Sequence, residues 1–160
     1  MENPNDRKLA IELVPKPLWG NSLYHRMKRS DWRSVRLKAL EEYHNVCGIC
    51  GSNSKPLECH ERWEYDDAAY IQKLLGFIML CNKCHAIKHF GRTNIQAREG
   101  RIDIQPIIEH YCMVNNCDDI TLRIDYRVAL HQWEKRNQFE WTTDFGEYAP
   151  MLILPPNSRA

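Results

Sequence analysis

The spacing of hydrophobic residues divides the 160-residue chain into helices toward both ends and shorter elements in the middle. After an apolar start at residues 13–19, Ser30 and Asp31 are placed to cap a helix whose apolar positions recur every three or four residues. Pro106 and Asp118 are placed to begin two further helices, the second with an apolar stripe typical of packing against a core. The apolar positions are Trp32, Val35, Ala39, Leu40 and Tyr43 in the first helix and Leu122, Tyr126, Ala129, Leu130 and Trp133 in the last.

Short elements follow one another in the middle of the chain. A strand is predicted over residues 57–63 from a two-residue period, in which one set of positions alternates with another. The first set is Leu57, Cys59, Glu61 and Trp63, and the second is Glu58, His60 and Arg62. A helix is predicted over residues 66–76, because an aspartate pair can cap its start and a glycine can end it. Residues 77–80 are an apolar run typical of a buried strand. Residues 85–91 are predicted to be helical until their terminal glycine, and a polar, basic loop is predicted over residues 92–101.

The composition favours a folded protein that does not enter a membrane. Hydrophobic residues make up 43% of the chain and charged residues 27%, which are ordinary proportions for a folded domain. The net charge is +1, so a surface that binds a polyanion has to be local. Neither a run of about 20 apolar residues nor a secretion signal is apparent, so we expect a cytoplasmic protein whose seven cysteines are reduced.

Two CxxC pairs are the strongest chemical signal in the sequence. Each pair, Cys47 with Cys50 (the first knuckle) and Cys81 with Cys84 (the second knuckle), can form a tight turn that directs two thiolates toward one point. Two such turns complete a closed tetrahedral site, so we predict a structural zinc ion whose binding stabilises the fold. A redox-active dithiol or a pair of disulfides is the alternative. The remaining cysteines, Cys59, Cys112 and Cys117, are expected to be free thiols.

A second group of candidate metal ligands lies beside the cysteine pairs. His60 and Glu61 are on the predicted strand, which the shared zinc brings close to the second CxxC pair, and His85 directly follows that pair. Because His85 and His89 are four residues apart, both rings project from one face of a helix. We therefore expect a cluster that can bind a second divalent ion with open coordination positions. The alternative is that these histidines cap elements or hydrogen-bond to the zinc ligands.

Together these motifs resemble the HNH endonucleases. The first CxxC pair, a strand with His60-Glu61, and the run Leu80-Cys81-x-x-Cys84-His85 occur as in the treble-clef, zinc-stabilised members of the ββα-metal group. The resemblance covers most of the chain and is closest to small bacterial HNH-like proteins. It implies an α+β fold in which residues 45–91 form the zinc-stabilised core. Residues 1–44 would then be an N-terminal extension with a basic helix, and residues 92–160 a helical region that packs on the core.

The activity that this resemblance implies is metal-dependent hydrolysis of DNA phosphodiester bonds. His60 falls at the family's first metal ligand and His85 at its last, and His89 is a further candidate ligand for catalytic Mg²⁺ or Mn²⁺. Glu61 occupies the position of the general-base histidine. The asparagine that the family places just before the second knuckle has no counterpart between Gly76 and Leu80.

The expected partner is DNA, contacted mainly through its phosphates. Between residues 26 and 38, basic side chains accompany a single acid, Asp31, although a solvated helix face is the alternative interpretation. A second reading of the whole chain is a non-catalytic zinc module that binds DNA or a protein partner, as part of a larger defence or mobile-element assembly. The residues predicted to contact nucleic acid are Arg26, Lys28, Arg29, Arg33, Arg36, Lys88 and Arg92.

Overall fold

A β-hairpin and the helix that follows it form the centre of an α+β fold. The computed structural model describes residues 3–153 and 155. Its sheet has the order β1-β2-β3, with β1 antiparallel to β2 and the short β3 parallel to β2. The strands are β1 (Glu58–Asp66), β2 (Ile71–Leu80) and β3 (Thr142–Asp144), and the α-helices are α1 (Leu23–Arg26), α2 (Arg29–Glu42), α3 (Asn82–Lys88), α4 (Phe90–Arg98), α5 (Gln105–Asn115) and α6 (Asp119–Arg136).

Three of the predicted helices are confirmed. The helix near Ser30 is α2, although it begins at Arg29 with Lys28 in the N-cap position. Pro106 lies in the first turn of α5. The side chain of Asp118 caps α6 by accepting a hydrogen bond from the Thr121 amide. Proline and aspartate at these positions satisfy or remove amides that have no partner inside the helix, which is why they mark helix starts in the sequence.

The helix predicted over residues 66–76 is wrong, because this segment is a hairpin turn followed by the first half of β2. The carboxylate of Asp66 accepts hydrogen bonds from the amides of Ala68 and Ala69, each at 2.9 Å, and so closes a turn instead of starting a helix. Tyr70 then adopts a positive φ of 55°, which turns the chain back along β1. Cross-strand pairing with β1 overrides the helical spacing of the apolar residues that follow.

The predicted helix stop at Gly91 is also wrong. The helical path is interrupted two residues earlier, at His89, and α4 begins at Phe90 with Gly91 inside its first turn. A single glycine costs a helix only about 1 kcal/mol relative to alanine, and burial of the Phe90 side chain offsets that cost. The basic loop predicted from residue 92 is consequently helical as far as Arg98.

Two hydrophobic clusters support the hairpin from different sides. The larger surrounds the cysteine pairs and includes Leu9 and Ile11, so this part of the N-terminal segment belongs to the core. The smaller lies where α1, α2 and the segment after β3 meet. None of the helices within residues 3–153 is both long and apolar enough to cross a membrane. The buried members include Leu9, Ile11, Met79, Leu80, Ile87 and Tyr111 in the larger cluster and Leu23, Met27, Val35 and Phe145 in the smaller.

Gly48 generates a prediction about packing at the first knuckle. Its amide donates a hydrogen bond to the Met79 carbonyl at 2.8 Å and thereby ties the knuckle to β2. A Cβ atom here would lie 2.5 Å from Cε1 of Tyr43 and 2.7 Å from Cγ1 of Ile78. Gly48→Ala is therefore expected to lower the free energy of unfolding by about 1–3 kcal/mol, measured by denaturant titration.

The matched control for this prediction is Gly91→Ala. The only close neighbour of a Cβ atom at Gly91 is the end of the Leu13 side chain, at 3.2 Å, and alanine is the better helix former. This variant should be as stable as the wild type or slightly more stable. A Gly48→Ala protein with unchanged stability would contradict the packing argument.

Candidate metal centres and the adjoining cavity

Four cysteines form the first candidate metal centre. Cys47 and Cys50 come from the first knuckle, Cys81 lies between β2 and α3, and Cys84 lies in the first turn of α3. Their four sulfur atoms all lie within 4.8 Å of one another. Four thiols that converge from two tight turns are the donor set of a structural zinc site, so this cluster can bind a metal such as zinc.

Backbone hydrogen bonds hold both turns in shape. In the first turn the amide of Cys47 donates to the Ser52 carbonyl at 2.8 Å, and the amide of Gly51 donates to the Cys47 carbonyl at 2.9 Å. Gly51 has a φ of 75°, a left-handed conformation that glycine adopts without strain. In the second turn Cys81 is the N-cap of α3, and its sulfur accepts a hydrogen bond from the Cys84 amide at 3.5 Å.

The electrostatics of the cluster favour a bound cation. The hydrogen bond with Cys84 and nearby backbone amides lower the pKa of Cys47 to about 4, although burial opposes this. The same hydrogen bond, burial and the neighbouring sulfurs raise the pKa of Cys84. Four negative sulfurs therefore cannot coexist here without a compensating positive charge, which a divalent metal ion supplies.

His110 is a neighbour of this cluster that the sequence pattern does not reveal. It lies on α5, is 8% exposed, and places its Nε2 atom 3.1 Å from the sulfur of Cys84. Burial lowers its pKa, which favours a neutral ring that can form a hydrogen bond with the Cys84 sulfur. No spacing rule links these residues, because only the packing of α3 against α5 brings them together. The cysteines outside the cluster, Cys59, Cys112 and Cys117, are free thiols.

Three histidines form the second candidate metal centre. His60 comes from β1, His85 from α3 and His89 from the junction of α3 and α4. One ring nitrogen of each lies within 4.8 Å of the others, and the ring centroids are 4.6 to 5.8 Å apart. The expected proximity of the three rings is therefore observed, and their role as metal ligands stays a prediction.

The environment of His85 and His89 favours their neutral, metal-binding form. Burial is the main cause that lowers the pKa of His85 to about 4, and electrostatic interaction with His60 and Arg92 adds to it. The same causes, together with His85, lower the pKa of His89 to about 3. Both rings are therefore neutral near pH 7, and a neutral imidazole has the free lone pair that a metal ion requires.

Glu12 is a second residue that sequence reasoning missed. One carboxylate oxygen lies 2.9 Å from Nε2 of His60 and the other 2.9 Å from Nζ of Lys88. Burial alone would raise the pKa of Glu12, but these two partners lower it to about 2, so the group is a carboxylate. A carboxylate on one ring nitrogen fixes the tautomer and leaves the other nitrogen for a metal ion. No motif marks Glu12, because it precedes His60 by 48 residues.

Glu61 is buried on the strand next to His60. Its Oε1 atom accepts a hydrogen bond from the amide of Leu23 at the start of α1, at 2.8 Å. Burial raises the pKa of Glu61 to about 7, although hydrogen bonds from the amides of Leu23 and Tyr24 act in the opposite direction. Glu61 is not among the three residues whose ring nitrogens converge, and its buried carboxyl group has a pKa near neutral.

A cavity of about 590 Å³ connects these features. His89, Glu12 and Glu61 are among the residues that line it, so it adjoins both the histidine cluster and the buried carboxyl group. The indole N–H groups of Trp19 and Trp133 donate to the same carbonyl, that of Val14, at 2.8 and 3.0 Å. Other residues that line the cavity include Trp63, Arg92, Arg98 and Tyr126.

The predicted nucleic-acid contacts divide into exposed and engaged side chains. Arg36 donates to the Leu57 carbonyl, and Lys88 is paired with Glu12 and only 12% exposed. Arg26 donates to the Asn21 side chain. The exposed members are Lys28, Arg29 and Arg33 at the start of α2 and Arg92 beside the cavity. Their contact with nucleic acid stays a prediction.

Comparisons with family models, curated proteins and solved structures found no match for this chain. The resemblance to HNH endonucleases therefore depends on the motifs alone, and the function is inferred below from the geometry of the two centres and the cavity.

The cysteine centre yields a prediction about zinc and folding. Cys81→Ser removes one thiolate, so zinc should be lost and the region around the two knuckles should unfold at a lower temperature. Zinc per chain from atomic absorption and the melting temperature measure these effects. Cys117→Ser, which changes a thiol outside the cluster, should leave both unchanged. Full zinc content and unchanged melting in Cys81→Ser would contradict the assignment.

The contact of Glu12 with His60 yields a prediction about the histidine centre. Glu12→Ala removes the carboxylate that orients His60, so Mn²⁺ binding should weaken by about 10–100-fold, measured by electron paramagnetic resonance titration of free Mn²⁺. Glu109→Ala, which removes an exposed carboxylate on α5, is the control and should bind Mn²⁺ like the wild type. Equal affinity in all three proteins would rule out a positioning role for Glu12.

Proposed function

We propose that this protein is a metal-dependent, HNH-type nuclease that hydrolyses DNA phosphodiester bonds. The observation that carries the proposal is the convergence of His60, His85 and His89 beside a cavity that also contains the buried carboxyl group of Glu61. In this account zinc at the cysteine cluster has a structural role, and the histidine cluster holds a catalytic divalent ion such as Mg²⁺ or Mn²⁺.

The two candidate centres suit different roles. Four sulfur ligands close the coordination sphere of zinc, which leaves no position for substrate. Three imidazole nitrogens leave coordination positions open for water and a phosphate oxygen. An ion bound there would neutralise the phosphate and stabilise the charge that develops on the leaving oxygen.

Glu61 is the group proposed to accept a proton from the attacking water. A general base works best when its pKa lies near the working pH, and burial brings the pKa of Glu61 to about 7. Glutamate at the position of a histidine base is therefore compatible with the reaction near neutral pH. Leu23 binds Oε1 and so holds the carboxyl group in one orientation.

Glu12 and Lys88 act indirectly in this account. Glu12 orients the ring of His60 through a 2.9 Å hydrogen bond, and Lys88 balances the charge of Glu12 through a 2.9 Å ion pair. Neither residue is proposed to touch the scissile phosphate. They are positioning residues whose loss would displace a ligand of the catalytic ion.

A non-catalytic zinc module is the second candidate function. The observation that favours it is the hydrogen bond from the Leu23 amide to Glu61, because a carboxylate in this position also stabilises the start of α1. In that case the exposed basic residues of α2 would bind DNA or an acidic protein surface without cleavage.

Cleavage assays with matched variants distinguish the two functions. The wild-type protein should cut a supercoiled plasmid or a circular single-stranded DNA in the presence of Mg²⁺ or Mn²⁺. His85→Ala and Glu61→Gln should each lower the cleavage rate at least about 100-fold, since one loses a metal ligand and the other a base. His131→Ala is the control, because this histidine is exposed on α6.

The result that contradicts the nuclease proposal is equally specific. The proposed chemistry is wrong if the wild-type protein cuts neither the plasmid nor the circular single-stranded DNA with any divalent metal ion. It is also wrong if Glu61→Gln and His85→Ala cut as fast as the wild type. DNA binding without cleavage would then favour the non-catalytic module.

A further inference from the structure

The cavity beside the three histidines has an aromatic wall whose polar atoms are already engaged. Trp19 and Trp133 both donate their indole N–H groups to the Val14 carbonyl, so each ring is held in place and has no donor left for a ligand. Trp19 is nevertheless 55% exposed, which is unusual for a tryptophan that packs within a domain. Both tryptophans line the cavity, and Trp19 offers the more open aromatic surface, because Nζ of Lys16 lies 5.2 Å from the centroid of the Trp133 ring.

Basic side chains from α4 line the same cavity. Arg92 and Arg98 are both exposed, and within residues 3–153 neither forms an ion pair with a carboxylate. They are close in sequence to His89, which also lines the cavity. One cavity thus combines aromatic surface, two guanidinium groups and a candidate metal centre. A planar ring joined to a phosphate matches all three features.

The size of the cavity limits the ligand. About 590 Å³ is within the range of sites for small molecules and holds a nucleotide, but it cannot admit a double helix. In a duplex the faces of the bases are covered by their neighbours, and only base edges and the backbone are accessible. Stacking on tryptophan therefore requires an unpaired base.

We propose that this cavity binds one unpaired nucleotide, with its base against Trp19 and Trp133 and its phosphate beside Arg92 and the histidine cluster. This inference rests on the proposed function, because it names the nucleotide state on which that site acts. The protein should therefore bind single-stranded or locally unpaired DNA more tightly than continuous duplex.

Binding measured without Mg²⁺ or Mn²⁺ tests this inference separately from cleavage. Isothermal titration calorimetry of the zinc-loaded full chain would use three probes at one salt concentration: thymidine monophosphate, a ten-nucleotide oligothymidine and a blunt-ended duplex without loops. We expect the oligothymidine to bind at least about tenfold more tightly than the duplex, because only the single strand offers a base for stacking. Equal affinity for the duplex and the single strand would overturn the inference.

A pair of aromatic substitutions locates the binding. Trp19→Ala should weaken oligothymidine binding at least about fivefold, and Trp19→Phe should restore most of the affinity, because phenylalanine retains a stacking surface. Phe139→Ala is the control, since Phe139 is 42% exposed and lies outside this cavity, stacked on Tyr70. Unchanged binding in Trp19→Ala would overturn the assignment of the cavity.

The probes also separate the two sources of an unpaired nucleotide. Thymidine monophosphate that binds as tightly as the oligomer, and loses affinity in Trp19→Ala, assigns the cavity to free nucleotides. An oligomer that binds at least about tenfold more tightly assigns it to a strand, because several phosphates then contribute.

If oligothymidine binds as expected but no DNA is cut, the proposed reaction fails while the nucleotide site stands. If DNA is cut but Trp19 has no effect on binding, only the nucleotide site fails.

Discussion

The convergence of four cysteine sulfurs on one point is the constraint on which the rest of this structure depends. The two knuckles lie on opposite sides of the hairpin in sequence, yet their sulfur atoms lie within 4.8 Å of one another. Four cysteines brought this close contribute little to the stability of the fold by themselves, because the negative charges of their thiolates repel one another. A single divalent ion bound to the four sulfurs would replace this repulsion by attraction and would join the first knuckle, the end of β2 and the start of α3.

The position of the histidine cluster follows from that junction. His85 directly follows Cys84, and His60 lies on the strand that pairs with β2, so an ion bound among the four sulfurs would also fix the distance between these rings. The N-terminal segment completes the arrangement. Its apolar residues Leu9 and Ile11 are in the core. The next residue, Glu12, forms a hydrogen bond with the ring of His60. A region outside the knuckles thus contributes a charged group to the candidate site.

Local patterns predicted those parts of the molecule that local interactions determine. The CxxC spacing predicted the sulfur cluster, and the caps at Pro106 and Asp118 predicted α5 and α6. The segment after Asp66 was interpreted as a helix because its apolar spacing suits one. In the structure, hydrogen bonds to β1 decide its conformation, and such partners are distant in sequence.

The same reasoning explains why part of the candidate site escaped prediction. Glu12 and His110 have no motif around them, and each meets its partner only because whole elements pack together. The cavity is a further case, since its aromatic wall combines a tryptophan near the N-terminus with one on α6. Contacts of this kind depend on tertiary packing, which a single sequence does not encode in any short pattern.

The most direct test of the account is anomalous X-ray diffraction from crystals of the zinc-loaded protein soaked in Mn²⁺. We expect a zinc peak enclosed by the four cysteine sulfurs and a separate manganese peak bonded to nitrogens of His60, His85 and His89, with further positions occupied by water. Absence of metal among the sulfurs, or manganese bound only at sites remote from the three rings, would contradict the claim that one structural ion organises a second, open metal site.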